Sequence, residues 1–119
     1  MTLPSLPVSR GDVVLVLFPN SDLSTAKACP ALVVQADDLH TGLSQVIVAM
    51  ITSQMSRAGH PSRVAVLLST PSGQQSGLLA DSVVMTDNVA TVISSALYRV
   101  IGSLPMADVD KALRHTLNL

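Results

Sequence analysis

Aromatic residues are nearly absent from this 119-residue sequence, which has no tryptophan, one tyrosine and one phenylalanine. Any core must therefore be packed from Val, Leu, Ile, Met and Ala, which favours β-strands built from branched side chains. Hydrophobic residues make up 48% of the chain and charged residues 13%, a balance typical of a globular protein. The length predicts a single domain.

Cysteine is also scarce, because Cys29 is the only one in the sequence. One cysteine excludes an intrachain disulfide and a cysteine zinc cluster, so nothing argues for secretion. The first ten residues, MTLPSLPVSR, lack the charged leader and apolar run of a signal peptide. No apolar stretch approaches the roughly 20 residues of a membrane-spanning helix. We therefore expect a cytoplasmic protein with no membrane segment.

Charge of either sign is sparse, and the formal net charge is −1. This balance argues against avid, nonspecific binding to nucleic acid, because affinity for phosphate is built from Lys and Arg. A local basic groove is still compatible with it. Five basic residues are spread so thinly that only the fold can bring some of them together: Arg10, Lys27, Arg57, Arg63 and Arg99.

Short apolar runs between polar turns predict a series of strands. The sequence predicts a flexible N-terminal arm over residues 1–9 and one domain over residues 10–119. Residues Pro19–Cys29 are rich in Pro, Asn, Ser, Asp and Thr and predict a long loop. The predicted strands are Gly11–Phe18, Pro30–Ala36, Gln45–Ser53, Arg63–Ser69, Ser82–Met85 and Tyr98–Leu104.

The C-terminus changes to a helical period. Its apolar residues recur at three- and four-residue spacing, at Met106, Val109, Leu113 and Leu117. Pro105 suits the first turn of such a helix, and Asp108 and Asp110 complement its N-terminal dipole. Several short strands followed by one amphipathic helix predict a mainly β (α+β) fold, a small barrel or curled sheet.

No catalytic signature stands out from spacing alone. His40, His60 and His115 do not form a zinc pattern, and the first two lie in predicted turns, as exposed loop histidines do. Neither a GxGxxG nor a Walker loop is present, which removes the dinucleotide and P-loop interpretations. We predict no cofactor and no metal. A nucleophilic Cys29 would need a base held beside it, and no histidine is placed by sequence to serve.

Small polar residues collect on the first long loop and at the end of the third predicted strand. They are Asp22, Ser24, Thr25, Lys27, Thr52 and Ser53. The plainer interpretation is local: Asp and Ser bonding nearby backbone, Thr52 capping a strand and Lys27 solvated. The alternative is that the fold brings them together in a site.

Four segments in order resemble the PemK/MazF family of toxins from type II toxin–antitoxin systems. They are RGDVVLVLFPNSDLSTAKACPALVV, VAMITSQ, GLLADSVVMTDNVAT and YRVIGSL, the last followed by the amphipathic helix. The resemblance implies a small SH3-like β-barrel of the PemK/MazF/CcdB kind and a homodimer. It also implies metal-independent cleavage of single-stranded RNA, and an antitoxin that neutralises the toxin at the RNA groove.

The resemblance also implies roles for particular residues. Cleavage needs a base for the ribose 2′-OH, an acid for the leaving 5′-oxygen, and cations or hydrogen-bond donors at the phosphate. Asp22 matches the base, Lys27 the charge, and Thr52 and Ser53 the donors. Asn20, Cys29 and Arg57 are expected to contact the substrate.

Cys29 departs from the family pattern, which has an arginine directly before the proline of the second strand. A neutral thiol cannot hold a phosphate as a guanidinium fork does. Two classes of function therefore remain open. One is an endoribonuclease, active or weakened, with Lys27 or Arg57 taking over the phosphate. The other is a noncatalytic relative that titrates an antitoxin or binds a protein target.

Overall fold

One antiparallel sheet of six strands dominates the part of the chain that the computed structural model describes, residues 6–19 and 25–119. Two helices, α1 (Pro71–Gln75) and α2 (Ala107–Leu117), accompany it, with one-turn 3₁₀ helices at Met55–Arg57 and Ser94–Ala96. The strands are β1 (Asp12–Pro19), β2 (Ala26–Val33), β3 (Gln45–Thr52), β4 (Arg63–Val66), β5 (Ser82–Ile93) and β6 (Leu97–Ser103). The predicted mainly β fold with a C-terminal helix is confirmed.

The spatial order of the strands is β4-β5-β3-β2-β1-β6, and every neighbouring pair is antiparallel. The first strand therefore lies between the second and the last, so residues far apart in sequence meet across it. This arrangement places the start of β2, the end of β3 and the middle of β6 at one end of the sheet.

Both faces of the sheet are packed, which explains the continuous apolar run in β1. Successive side chains of a strand point to opposite faces, and in β2 Leu32 enters one hydrophobic cluster while Ala31 and Val33 enter the other. The first cluster lies under α2 and includes Val13, Ile51, Val84 and Val109. The second includes Val14, Val16, Val48 and Leu97.

The predicted arm contributes two side chains to the second cluster. Leu6 and Val8 are partly buried and pack against it. Residues 1–5 lie outside the described part of the chain, so the flexibility of residues 1–9 stays a prediction.

The C-terminal helix is fixed through one buried face and one ion pair. Val109 and Ala112 are its buried residues, and Asp108 and Asp110 lie in its first turn as predicted. The Arg10 guanidinium pairs with Asp110 and its Nε donates to the carbonyl oxygen of Val34, at 3.1 Å. Arg10 thus ties the start of β1 to the end of β2 and to α2.

Several element boundaries differ from the sequence prediction. The second strand begins at Ala26 and not at Pro30. Pairing of Ala26–Cys29 with β1 provides hydrogen-bond partners for their backbone N–H and C=O groups, although their sequence is typical of a loop. The fourth strand ends at Val66 and not at Ser69, and residues 71–75, between the fourth and fifth predicted strands, form α1. The last helix begins at Ala107, so Pro105 precedes it and is not in its first turn.

The fifth strand is three times as long as the four residues predicted. Ser82–Ile93 runs through an irregularity in which Met50 pairs with Met85 while Ala49 pairs with Val89. Residues 86–88 therefore bulge out of the ladder. Because their sequence is typical of a turn, the predicted strand ended at Met85. In the described residues, no helix is long and apolar enough to cross a membrane.

Candidate RNA-cleavage groove

A groove of about 560 Å³ lies at the end of the sheet where β2 begins and β3 ends. Lys27–Pro30 and residues 51–54 form two of its sides, and residues 77–80 after α1 form a third. Arg99 and Ile101 of β6 line it from across β1. Its apolar surface comes from the rim of the first cluster, which supplies Ile51 and Ile101.

Four residues predicted for the site line this groove together: Lys27, Cys29, Thr52 and Ser53. The fold therefore brings the start of β2 and the end of β3 together at one groove. Asn20 and Asp22 lie outside the described residues, so their positions remain predictions.

Arg57 does not line the groove. It ends the 3₁₀ helix Met55–Arg57, where its carbonyl oxygen accepts a hydrogen bond of 3.2 Å from Nη1 of Arg63. Its predicted part in substrate binding is thus without support from the groove.

The cations of the groove are Lys27 and Arg99. Two other basic residues are committed elsewhere: Arg10 pairs with Asp110, and Nη2 of Arg63 lies 2.7 Å from Oδ2 of Asp87. The Arg63 hydrogen bond lowers the pKa of Asp87 and raises that of Arg63. Within the described residues no carboxylate lines the groove, so its described lining is positive.

Thr52 and Ser53, at the end of β3, line the groove and carry hydroxyl groups that can donate hydrogen bonds. Oγ1 of Thr52 accepts the backbone N–H of Gln54 at 3.1 Å, which leaves its own proton for another acceptor. This bond is the local cap that the plainer interpretation expected. It also holds the Thr52 hydroxyl at a fixed position on the groove.

Cys29 is half-buried, and its register places it on the opposite face of β2 from Pro30. It pairs with Val16 and alternates with Ala31, and both of these belong to the second cluster. Pro30 pairs with Leu15, which lines the groove. Lys27 lies on the same face of β2 as Cys29, and both residues line the groove. A thiol at this position does not offer the guanidinium fork that holds a phosphate.

The wall formed by residues 77–80 is held by close backbone packing of α1 on β6. Thr70 caps α1, and its Oγ1 accepts the N–H of Gly73 at 3.1 Å. Gly77 has φ +73°, and a Cβ there would lie 1.9 Å from the carbonyl oxygen of Ile101. A Cβ on Gly102 would lie 2.4 Å from the carbonyl oxygen of Gln75. Only glycine permits these two approaches.

The histidines stand apart from the groove. Nδ1 of His60 accepts the N–H of Ser62 at 3.1 Å, and its ring meets that of His115 with 6.1 Å between centroids. Among the residues described, no three His, Cys, Asp or Glu side chains are grouped so that they can hold a metal ion.

The PemK-like, MazF-like toxin family of type II toxin–antitoxin systems matches residues 9–117. The chain belongs to this family. The match spans almost the whole sequence, so the resemblance drawn from the four segments is confirmed. This PemK/MazF-family protein is therefore the toxin component of a type II toxin–antitoxin system. A comparison with curated protein sequences gives no significant match.

Solved structures of similar fold are themselves toxins of this kind. A mycobacterial endoribonuclease in complex with its cognate antitoxin is 23% identical, with a TM-score of 0.73 and coverage of 95% of this chain and 97% of that one. The Mycobacterium tuberculosis toxin MazF-mt6 is 26% identical, with a TM-score of 0.69 and coverage of 91% and 97%. A MazE–MazF structure from Deinococcus radiodurans is 18% identical, with a TM-score of 0.68 and coverage of 94% and 96%.

Sequence reasoning missed two parts of this PemK/MazF-family groove. Arg99 was noted only as one of several scattered cations, and residues 77–80 were not considered for the site. The strand prediction from Tyr98 to Leu104 gave no sign of which face Arg99 occupies, since that depends on an irregular register with β1.

Proposed function

We propose that this PemK/MazF-family toxin is an endoribonuclease that cleaves single-stranded RNA in the groove without needing a metal ion. The observation that carries the proposal is the convergence of Lys27, Thr52 and Ser53 with a second cation, Arg99, on one open groove. Cations and hydroxyl donors without a described carboxylate suit the phosphodiester backbone of RNA.

The chemistry is an internal transesterification. The ribose 2′-oxygen forms a bond to the adjacent phosphorus while the bond from phosphorus to the 5′-oxygen breaks. The 2′-OH proton passes to a base, and the leaving 5′-oxygen receives a proton, so the products carry a 2′,3′-cyclic phosphate and a 5′-hydroxyl. We assign the base to Asp22 from the family resemblance, because the described lining of the groove contains no carboxylate.

The described groove residues then stabilise the transition state. Extra negative charge develops on the nonbridging phosphate oxygens as the 2′-oxygen attacks, and positioned donors are worth most where charge develops. Lys27 supplies a positive charge, and the hydroxyls of Thr52 and Ser53 donate hydrogen bonds. The Thr52 hydroxyl is already oriented by the Gln54 N–H, so less ordering is needed when RNA binds.

The groove also indicates how the RNA is held. Its described lining contains no aromatic side chain, and Leu79 on its third side is 98% exposed. Base stacking on aromatic rings is the usual source of tight sequence-tolerant binding. The proposal therefore expects binding through phosphates and apolar contacts, with a marked dependence on salt.

Partners follow from the same proposal. From the family resemblance we expect a homodimer in the cytoplasm. We also expect a cognate antitoxin that covers the groove, since one mycobacterial structure of the same fold is an endoribonuclease bound to its antitoxin. The MazE–MazF structures from Deinococcus radiodurans support the expectation of such a partner.

The test is incubation of the purified toxin with a long single-stranded RNA in EDTA. The expected products end in a cyclic phosphate, and Thr52→Ala should lower the rate by about 10²-fold or more, the scale for losing one transition-state donor. Thr91→Ala, an exposed threonine on β5 away from the groove, is the matched control. RNA that stays intact at a large excess of toxin would refute the proposal.

A second candidate is a noncatalytic toxin relative that titrates an antitoxin or binds a protein target. The observation in its favour is the neutral, half-buried Cys29 where the family pattern has an arginine. The discriminating variant is Cys29→Arg. If the toxin is an endoribonuclease with a weakened site, this change should raise cleavage in EDTA by about one to two orders of magnitude, since it adds one transition-state donor. If it is a binding protein, neither form cleaves.

A further inference from the structure

The last strand of the sheet carries an extra residue at Tyr98. Val16 of β1 pairs with Leu97 of β6, but the next residue of β1, Leu15, pairs with Arg99. Tyr98 has no partner of its own in this ladder, so it forms a β-bulge. Such an insertion changes the face to which the following side chains point.

The bulge decides where Arg99 lies. In a regular ladder Arg99 would follow Leu97 at a spacing of two and face the same side. That side is the second cluster, where Val14 and Val16 are fully buried. An unpaired guanidinium there would be strongly unfavourable. With the bulge, Arg99 lies opposite Leu15, on the same face as Pro30, and its side chain is exposed.

The bulge also aligns Arg99 with the start of the second strand. Leu15 pairs with Pro30 on one side and with Arg99 on the other, so the three residues form a row across β2, β1 and β6. Two strand spacings of about 4.8 Å separate the Pro30 and Arg99 backbones by roughly 10 Å. Both residues line the groove.

The positions of the basic residues also point to Arg99. Of the seven Lys and Arg residues in the chain, Lys27 and Arg99 are the two that line the groove. Arg10 and Arg63 are held by aspartates. Within the described residues the Arg99 side chain has no hydrogen bond or ion pair, so its guanidinium is available to a ligand.

We propose that Arg99, turned into the groove by the Tyr98 bulge, is the phosphate-binding arginine of this toxin. The inference rests on the proposed function and assigns one of its binding residues. A guanidinium offers two parallel N–H donors to two phosphate oxygens and keeps its charge at any physiological pH. Lys27, a point charge on a flexible stem, does not supply that fork.

The test compares Arg99→Ala, Arg99→Lys and the control Arg114→Ala. Arg114 is exposed on α2 and does not line the groove, so its removal changes the net charge equally. In single-turnover cleavage in EDTA we expect Arg99→Ala to lose about 10²–10³-fold. Arg99→Lys should recover part of that loss, whereas Arg114→Ala should match wild type. Equal melting temperatures of the variants would show that the bulge and fold are kept.

A binding measurement separates this inference from the proposed function. The probe is a single-stranded 2′-O-methyl RNA, which lacks the attacking hydroxyl, titrated at several salt concentrations. Removing one phosphate contact should reduce the slope of log K against log salt by about 0.7. Arg99→Ala with wild-type cleavage and slope would overturn the inference and leave the function intact. If wild-type toxin does not cleave RNA, the function fails, and an unchanged slope then overturns the role of Arg99 as well.

Discussion

Gly77 lies where the chain leaves α1 and crosses the backbone of β6, and it offers a direct test of how the groove wall is built. Its φ is +73°, in the left-handed region, and an added Cβ would lie 1.9 Å from the carbonyl oxygen of Ile101 and 2.6 Å from the carbonyl carbon. The contacted atoms are backbone, which cannot rotate away as a side chain can. Gly77→Ala must therefore separate α1 from β6.

The expected cost has two parts. Holding an alanine in the left-handed region costs about 1–2 kcal/mol. Forcing backbone elements apart adds about 1–3 kcal/mol, the usual range for overpacking. Alanine also stiffens the unfolded chain, which returns about 0.4–1 kcal/mol. The net loss is roughly 2–4 kcal/mol, a large share of the roughly 5–15 kcal/mol that stabilises a domain of this kind.

Gly42 provides the matched control, because it shares the backbone conformation without the contact. Its φ is +77°, and nothing lies within 4 Å of a Cβ built there. Gly42→Ala should therefore lose only about 1 kcal/mol, the conformational cost after the unfolded-state offset. Urea unfolding of the three proteins measures both losses from the midpoint and the slope of the transition.

The difference between the two variants isolates the steric overlap with β6. We expect Gly77→Ala to be less stable than Gly42→Ala by about 1–3 kcal/mol. Equal losses would show that left-handed backbone alone explains the glycine at position 77. That result would refute the account of residues 77–80 as a wall fixed by close packing on Ile101.

Two further changes probe the core and the surface charge. Val109→Ala should lower the free energy of unfolding by about 1–3 kcal/mol, because it removes buried methyl groups and leaves a cavity. Val89 is exposed, and Val89→Ala should lower it by less than about 0.5 kcal/mol. Similar urea midpoints for the two variants would contradict this expectation. Arg63 lowers the pKa of Asp87 in the folded state. The ion pair therefore stabilises the fold at pH values above the usual aspartate pKa near 4. This stabilisation is lost as the pH falls through the lowered pKa of folded Asp87. Asp87→Asn should therefore melt slightly below wild type near pH 7 and equally near pH 2; a gap that persists in acid would refute the assignment.

The sequence predicted the β-rich fold because period and composition agree along most of the chain. Each of the six predicted strands overlaps one observed strand, and the helix expected from Met106 to Leu117 spans Ala107–Leu117. Errors arose where tertiary pairing overrides local preference. Ala26–Cys29 have a loop-like sequence, yet they pair with β1 and become strand.

The candidate site was predicted in part for a related physical reason. Lys27, Thr52 and Ser53 come from two segments that the order of strands brings together, so family resemblance was enough to place them. The position of Arg99 on the groove depends on a single unpaired residue, Tyr98, in the β1–β6 ladder. A one-residue bulge cannot be predicted from hydrophobic periodicity. Cys29 was expected to contact the substrate at the position where the family has an arginine. It lines the groove, and its contact with RNA stays a prediction.

The bulge at Tyr98 also affects how readily the edge of the sheet can pair with another chain. The last strand ends the sheet order, so one side of β6 has no neighbouring strand among the residues described. A second irregularity skips Ile101, since Val14 pairs with Val100 and Val13 with Gly102. Two bulges in seven residues break the even row of N–H and C=O groups that another chain would need for strand addition. The irregularity that turns Arg99 towards the groove thus also makes this edge a poor template for uncontrolled sheet growth.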